Sequence, residues 1–153
     1  MMVMQLTDAH KKLHMIAGKW QGQETAHPSP WDPKGGPATG RVENRVTASG
    51  FAVVQEYRQQ REGMPNFEGH GVFRWDTQEN CYMLYWFDSG GLPASVFRGQ
   101  FEGNVLSMTC DMPEGKMRCA WDFPGGNRHK FRMEAGDGTN WQPVLEGEYV
   151  REG

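Results

Sequence analysis

The stretch Phe67–Ser89, FEGHGVFRWDTQENCYMLYWFDS, decides how the chain must fold. With Asn66 before it, it forms two runs rich in aromatic and β-branched residues, Asn66–Asp76 and Cys81–Asp88, separated by the polar tetrad TQEN. Runs of this kind on either side of a short break are strands lying side by side. The same pattern continues in both directions. Upstream it predicts strands over Lys19–Ala26, Gly40–Thr47 and Phe51–Gln59; downstream over Ser95–Phe101, Asn104–Asp111, Lys116–Phe123, Arg128–Ala135 and Trp141–Arg151. Ser49-Gly50, Glu102-Gly103, Pro124-Gly125-Gly126-Asn127 and Asp137-Gly138 supply the tight reversals between them.

Only the start of the chain reads as a helix, over residues 6–16. Thr7 or Asp8 caps it, Leu6, Leu13, Met15 and Ile16 form its apolar stripe, and Gly18 ends it. About ten strands with no helix between them form an antiparallel meander, which must close or stack to remove its edges. The expectation is therefore one all-β domain over 1–153, an up-and-down barrel of about ten strands spanning 18–151. Its long connections, residues 27–39, 60–65, 89–94 and 112–115, fall at one end and carry Trp31, Met64, Leu92 and Met112. That end reads as the mouth of a cavity and the other as plugged.

Composition narrows the partners. With 153 residues the chain buries roughly two-thirds of its unfolded surface, enough for one core. Sixteen Lys and Arg against nineteen Asp and Glu give a net charge of −3, and the basic residues are scattered, which argues against nucleic acid or an anionic membrane. The longest apolar run, Met83–Phe87, is far too short to span a bilayer, and the N-terminus lacks a signal-peptide core. Three cysteines, Cys81, Cys110 and Cys119, without a C-x-x-C pair suit a reducing, cytoplasmic setting, with Cys110 and Cys119 able to approach across one hairpin as core thiols.

The residues Gly18-Lys19-Trp20-Gln21-Gly22, FAVVQEY over 51–57, FEGHGVFRWD over 67–76 and YWFDS over 85–89 resemble a family of bacterial proteins without an assigned activity. That family is similar to lipocalins and other calycins, and the likeness covers the whole chain. More distantly the G-x-W resembles nitrobindin and fatty-acid-binding proteins. The resemblance implies that Trp20 plugs the narrow end, with the late-strand Arg151 lying over it. It names no cofactor. A haem ligand like nitrobindin's would stand near the start of the final strand, where WQPVL over 141–145 has no histidine.

Several residues are candidates for chemistry. His10 and His14 share a helix face, but Lys11 and Lys12 lie between them and the glutamate of a metalloprotease helix is missing, so the pair reads as a solvated or capping face. His70 stands between Gly69 and Gly71, which admit a ligand or another backbone closely, opposite Gln55 or Glu56. Tyr57, Tyr85, Trp86 and Asp88 form an aromatic wall with one carboxylate, and the alternation around His129 turns it inward. Tyr82–Phe87 is apolar on both faces, so its outer face needs a cover, either the helix or a second subunit in a homodimer.

These features favour non-enzymatic binding of a small apolar or amphipathic molecule, with Gln55, Tyr57, His70, Tyr85, Trp86, Asp88 and His129 around it. An enzyme or haem protein using a cavity histidine, and a side-chain-filled structural barrel, are the alternatives.

Overall fold

A computed structural model describes residues 4–152. Helix α1 (Asp8–Leu13) runs into a short 3₁₀ turn, His14–Ile16. Ten strands follow: β1 (Gly18–Ala26), β2 (Gly36–Thr47), β3 (Ala52–Gln60), β4 (Phe67–Asp76), β5 (Cys81–Asp88), β6 (Ser95–Glu102), β7 (Val105–Met112), β8 (Gly115–Gly125), β9 (Arg128–Gly136) and β10 (Trp141–Arg151). Each pairs antiparallel with its chain neighbours, and β1 also pairs with β10, so the sheet closes into a barrel. Closure leaves no strand edge unpaired.

Most boundaries fall within two residues of the sequence reading, and two elements depart further. β2 begins at Gly36 rather than Gly40, because Gly36, Pro37 and Ala38 continue the ladder opposite Ala26, Thr25 and Glu24. The glycines and proline around residue 36 look like loop, yet the far end of β1 needs backbone partners and takes them from here. The helix is shorter than residues 6–16. Leu6 lies before it, and Thr7 is its N-cap: the Thr7 hydroxyl accepts the His10 N–H while the Thr7 N–H donates to His10 Nδ1.

The register fixes which side chains face inward. Trp20, Gly22 and Glu24 of β1 share a face with Val42 and Asn44 of β2, Gln55 and Tyr57 of β3, and Gly69, Gly71 and Phe73 of β4. That face continues through Leu84, Trp86 and Asp88 of β5, Phe97 of β6 and Met108 of β7, Cys119 and Trp121 of β8, His129 and Phe131 of β9, and Tyr149 and Arg151 of β10. Alternation of this kind is the period-2 signature of strands with one face in a core.

The helix closes one end. Trp20 is 1 % exposed and donates from Nε1 to the Ile16 carbonyl (3.2 Å). Asn44 Nδ2 donates to the same carbonyl, Tyr82 Oη to Ala9 and Arg151 Nη1 to Ala17. Side chains of β1, β2, β5 and β10 thus tie the helical segment to the end of the barrel. The Arg151 guanidinium lies 4.2 Å from the centre of the Trp20 ring, a cation–π contact at the plug. His10 packs edge-on against Phe51 and the His14 ring donates to the Gly50 carbonyl, so the two helix histidines serve the cap and this end rather than one shared site. The opposite end carries the connections of residues 27–35, 61–66 and 89–94, with Trp31, Met64 and Leu92 exposed on them.

Candidate functional site: an open cup above the plug

The inward-facing side chains differ in burial along the barrel, with exceptions at both ends: Ala26, Ala38 and Cys110 are buried near the loops, and Trp75 and Phe101 are half-buried near the helix. Next to the helix, Trp20, Val53, Phe73, Leu84, Leu106, Met108, Phe123 and His129 are all buried. Toward the loops, Tyr57, Phe67, Trp86, Asp88, Met112, Met117, Phe131 and Met133 keep part of their surface open although they also point inward. The barrel is a filled plug below; above it most of these half-buried side chains pack onto the core, and together they form its loop-end layer, the cup.

One wall of the cup is built over glycine. A Cβ at Gly69 would lie 2.2 Å from Trp86 Cζ2, and one at Gly71 3.0 Å from Trp86 Cε3. The indole therefore lies flat across the backbone of β4, and any side chain at Gly69 would displace it. Trp86 Nε1 donates to Asp88 Oδ2 (2.9 Å), holding the ring on this wall and the carboxylate at its upper edge. Tyr57 stands beside it, with ring centres 6.3 Å apart, and Phe67 lies 6.2 Å from Tyr57.

The other wall is polar. Glu24 is 2 % exposed, and its carboxylate accepts from Tyr57 Oη (2.8 and 2.9 Å), from Gln59 Nε2 (3.0 Å) and from Tyr149 Oη. A Cβ at Gly40 would sit 2.3 Å from Glu24 Oε2, so a glycine again makes the room. Burial and then the Glu24 charge push the Tyr57 and Tyr149 hydroxyls well above the ordinary tyrosine pKa. Both keep their protons and donate them to the carboxylate. Below Tyr149, the His129 ring is sandwiched against Tyr149 (4.7 Å) and Phe123 (4.6 Å), with Trp20 edge-on at 4.5 Å. Its Nδ1 is buried without a hydrogen-bond partner, and burial, then the Arg151 charge, lower its pKa to about 4.

The expected site residues do not all meet. Tyr57, Trp86 and Asp88 line the cup. Gln55 faces inward but lies lower, where its Nε2 donates to Asn44 Oδ1 as part of the plug. His129 also faces inward, within the ring stack beneath the cup. His70 and Tyr85 face outward, contrary to the reading that set them on the cavity wall. His70 stands opposite Glu56 and pairs with it (2.6 Å), beside Phe87. The flanking glycines serve the Trp86 ring, so they carry no message about the histidine between them. Tyr85 lies on the outer face between Val72 and Val96.

Glu24, Gln59 and Tyr149 were missed. A signal was available: Glu24 is four residues after Trp20 on one strand and Tyr149 two before Arg151, so each shares a face with the plug pair. Cys110 and Cys119 are both buried and unbonded, and burial raises both thiols. Among the described residues no group of three or more His, Cys, Asp and Glu is placed to hold a metal, and no helix is long and apolar enough to cross a membrane.

The barrel is similar to solved structures of low identity, which bear on the fold alone. Rv2717c from M. tuberculosis is 14 % identical, with a TM-score of 0.72 over 97 % of this chain and 100 % of that one. The S-type phycobiliprotein lyase CPES from Guillardia theta is 10 % identical, with a TM-score of 0.62 over 96 % and 94 %. EF1p2_mFAP2b, in a structure bound to DFHBI, is 12 % identical, with a TM-score of 0.53 over 95 % and 100 %. These neighbours are calycin-like barrels, in keeping with the lipocalin-like resemblance. No curated protein matches the chain. The match of a family model across residues 5–151 makes this chain a member of the DUF1579 family, proteins of unknown function.

Proposed function

We propose that the protein binds a small apolar or amphipathic molecule in the cup, without transforming it, and that Tyr57, Trp86 and Asp88 contact the guest. The carrying observation is the group of inward-facing side chains at the loop end, Tyr57, Phe67, Trp86, Asp88, Met112 and Met133, which keep part of their surface accessible. Concave, mostly apolar surface with a few fixed polar groups is what a small ligand needs. The DFHBI-bound neighbour lends support, since a protein with a barrel of the same general form is there bound to a small molecule. A histidine-centred enzyme or haem protein finds less support, because His70 faces outward and His129 is held within a stack of rings.

The test is a titration followed by tryptophan fluorescence, using decan-1-ol as a neutral probe. Filling the cup with Met133→Trp is expected to raise the Kd at least tenfold, about 1.4 kcal/mol. His70→Ala, on the outer face, is expected to leave the Kd unchanged. Equal affinity in the wild type and Met133→Trp, or no binding at all, would overturn the reading.

We further propose that the protein is a homodimer joined through the outer face of β5 and β6, where Tyr85, Phe87 and Val96 are exposed side by side with the half-buried Val72. Clustered exposed apolar side chains of this size favour a partner surface, and a stable interface buries about 800 Å² per subunit. Sedimentation at micromolar concentration should report a dimer that Phe87→Glu converts to monomer. A wild-type monomer would refute the interface. The three unpaired thiols favour a reducing compartment, and we assign the cytoplasm on that ground.

A further inference from the structure

Resting on the cup as the binding site, we infer that its guest is an organic cation: an ammonium or similar head carried on an apolar body.

Two carboxylates lie on the inward face at this end, Asp88 half-buried at the edge of the cup and Glu24 buried behind Tyr57, Gln59 and Tyr149, and the fixed positive charge within the barrel lies elsewhere. Arg151, the inward-facing arginine of β10, is at the plug, spent on the Trp20 ring and the Ala17 carbonyl. The hydrogen bonds to Glu24 come from neutral groups, two tyrosine hydroxyls and one amide. Those to Asp88 come from Trp86 Nε1 and the Gly90 N–H. Among the described residues no Lys, Arg or His lies within ion-pairing distance of either carboxylate. At the rim, Arg61 is bound to Asp32 and to the Gly35 carbonyl. His129 adds no charge near neutral pH, since its proton is lost above about 4.

Hydrogen bonds from neutral donors satisfy a carboxylate's lone pairs but leave its charge uncancelled, and low-dielectric walls strengthen the field of that charge inside a cleft. The aromatic surfaces agree in sign. Trp86 lies flat against β4 and so presents its other face to the cup, with Tyr57 and Phe67 beside it. The negative face of an aromatic ring attracts a cation. An anionic head, such as that of a fatty acid, meets repulsion from both carboxylates and finds no cup-lining cation to pair with.

Three probes with the same chain separate these cases: decyltrimethylammonium, decan-1-ol and decanoate, titrated at pH 7 below their micellar concentrations and followed by calorimetry. The cation is expected to bind at least tenfold more tightly than decanoate, with the alcohol between them. Asp88→Asn keeps the shape and removes one charge, and should shrink the cation-to-anion ratio at least threefold. Glu24→Gln should shrink it further where it folds. Equal binding of all three probes, tighter decanoate, or a ratio that Asp88→Asn leaves unchanged would overturn the charge inference while the cup stands. Failure of every probe to bind would overturn the cup itself.

Discussion

Trp20→Ala is expected to destabilise the protein by about 3–5 kcal/mol, the range for removing a fully buried large aromatic. The indole contributes on three counts. It fills the plug at 1 % exposure, it donates to the Ile16 carbonyl, and it packs edge-on against Phe123 and His129. Truncation leaves a cavity that the closed strands have little freedom to collapse into. Arg151→Ala should cost less, about 0.5–2 kcal/mol for a desolvated cation–π contact. Both variants act below the cup, so ligand affinity should survive in whatever fraction remains folded. Denaturant unfolding checks this, and a loss below about 1 kcal/mol for Trp20→Ala would show that the plug is not the anchor of the core.

Acidification should weaken the fold in a window set by His129. Its imidazole is buried neutral, with a folded pKa of about 4 against 6.5 for the free side chain. Between those values the unfolded chain binds a proton that the folded one refuses, so stability falls as pH drops from 6.5 toward 4. The difference in pKa corresponds to about 3 kcal/mol lost in all. Asp76, Asp111, Glu134 and Asp137 are held below the usual carboxylate range by hydrogen bonds, and their contributions disappear only at lower pH. His129→Phe keeps a ring between Tyr149 and Phe123 and removes the titration. Unfolding free energies of wild type and variant at pH 7 and 4.5 should therefore diverge in slope. Parallel behaviour would mean that the buried histidine accepts its proton without penalty.

The barrel was legible because its strands announce themselves twice, by aromatic and β-branched composition and by turn residues between them. The plug was legible only through the resemblance of the G-x-W and the late arginine to the calycins. Parity was harder. Tyr82–Phe87 is apolar on both faces, so alternation could not tell that Tyr85 and Phe87 face outward while Trp86 faces inward. His70 was misplaced for a related reason. The glycines beside it carry the true signal, bare backbone beneath a ring from the next strand, and that ring is visible only once β4 and β5 are in register. Glu24 was passed over because a charged residue on a strand is ordinarily solvated, and the tyrosines that receive it lie far along the chain.

Nine of the ten ladders join strands that follow one another along the chain; the tenth, between β1 and β10, does not. The Trp20–Arg151 contact and the Glu24–Tyr149 hydrogen bond, the latter between residues 125 positions apart, both bridge that ladder. The ring is thus shut by a clasp with a cation–π fastening at the base and a hydrogen-bonded carboxylate higher up. Hairpins can form early and locally, whereas the clasp engages only after a long stretch of chain has been gathered, which makes closure the slow, entropy-limited event. Because the hydrogen-bonded fastening is also a wall of the cup, a guest bound there as proposed would act on the seam, and its binding would be thermodynamically linked to the integrity of the ring.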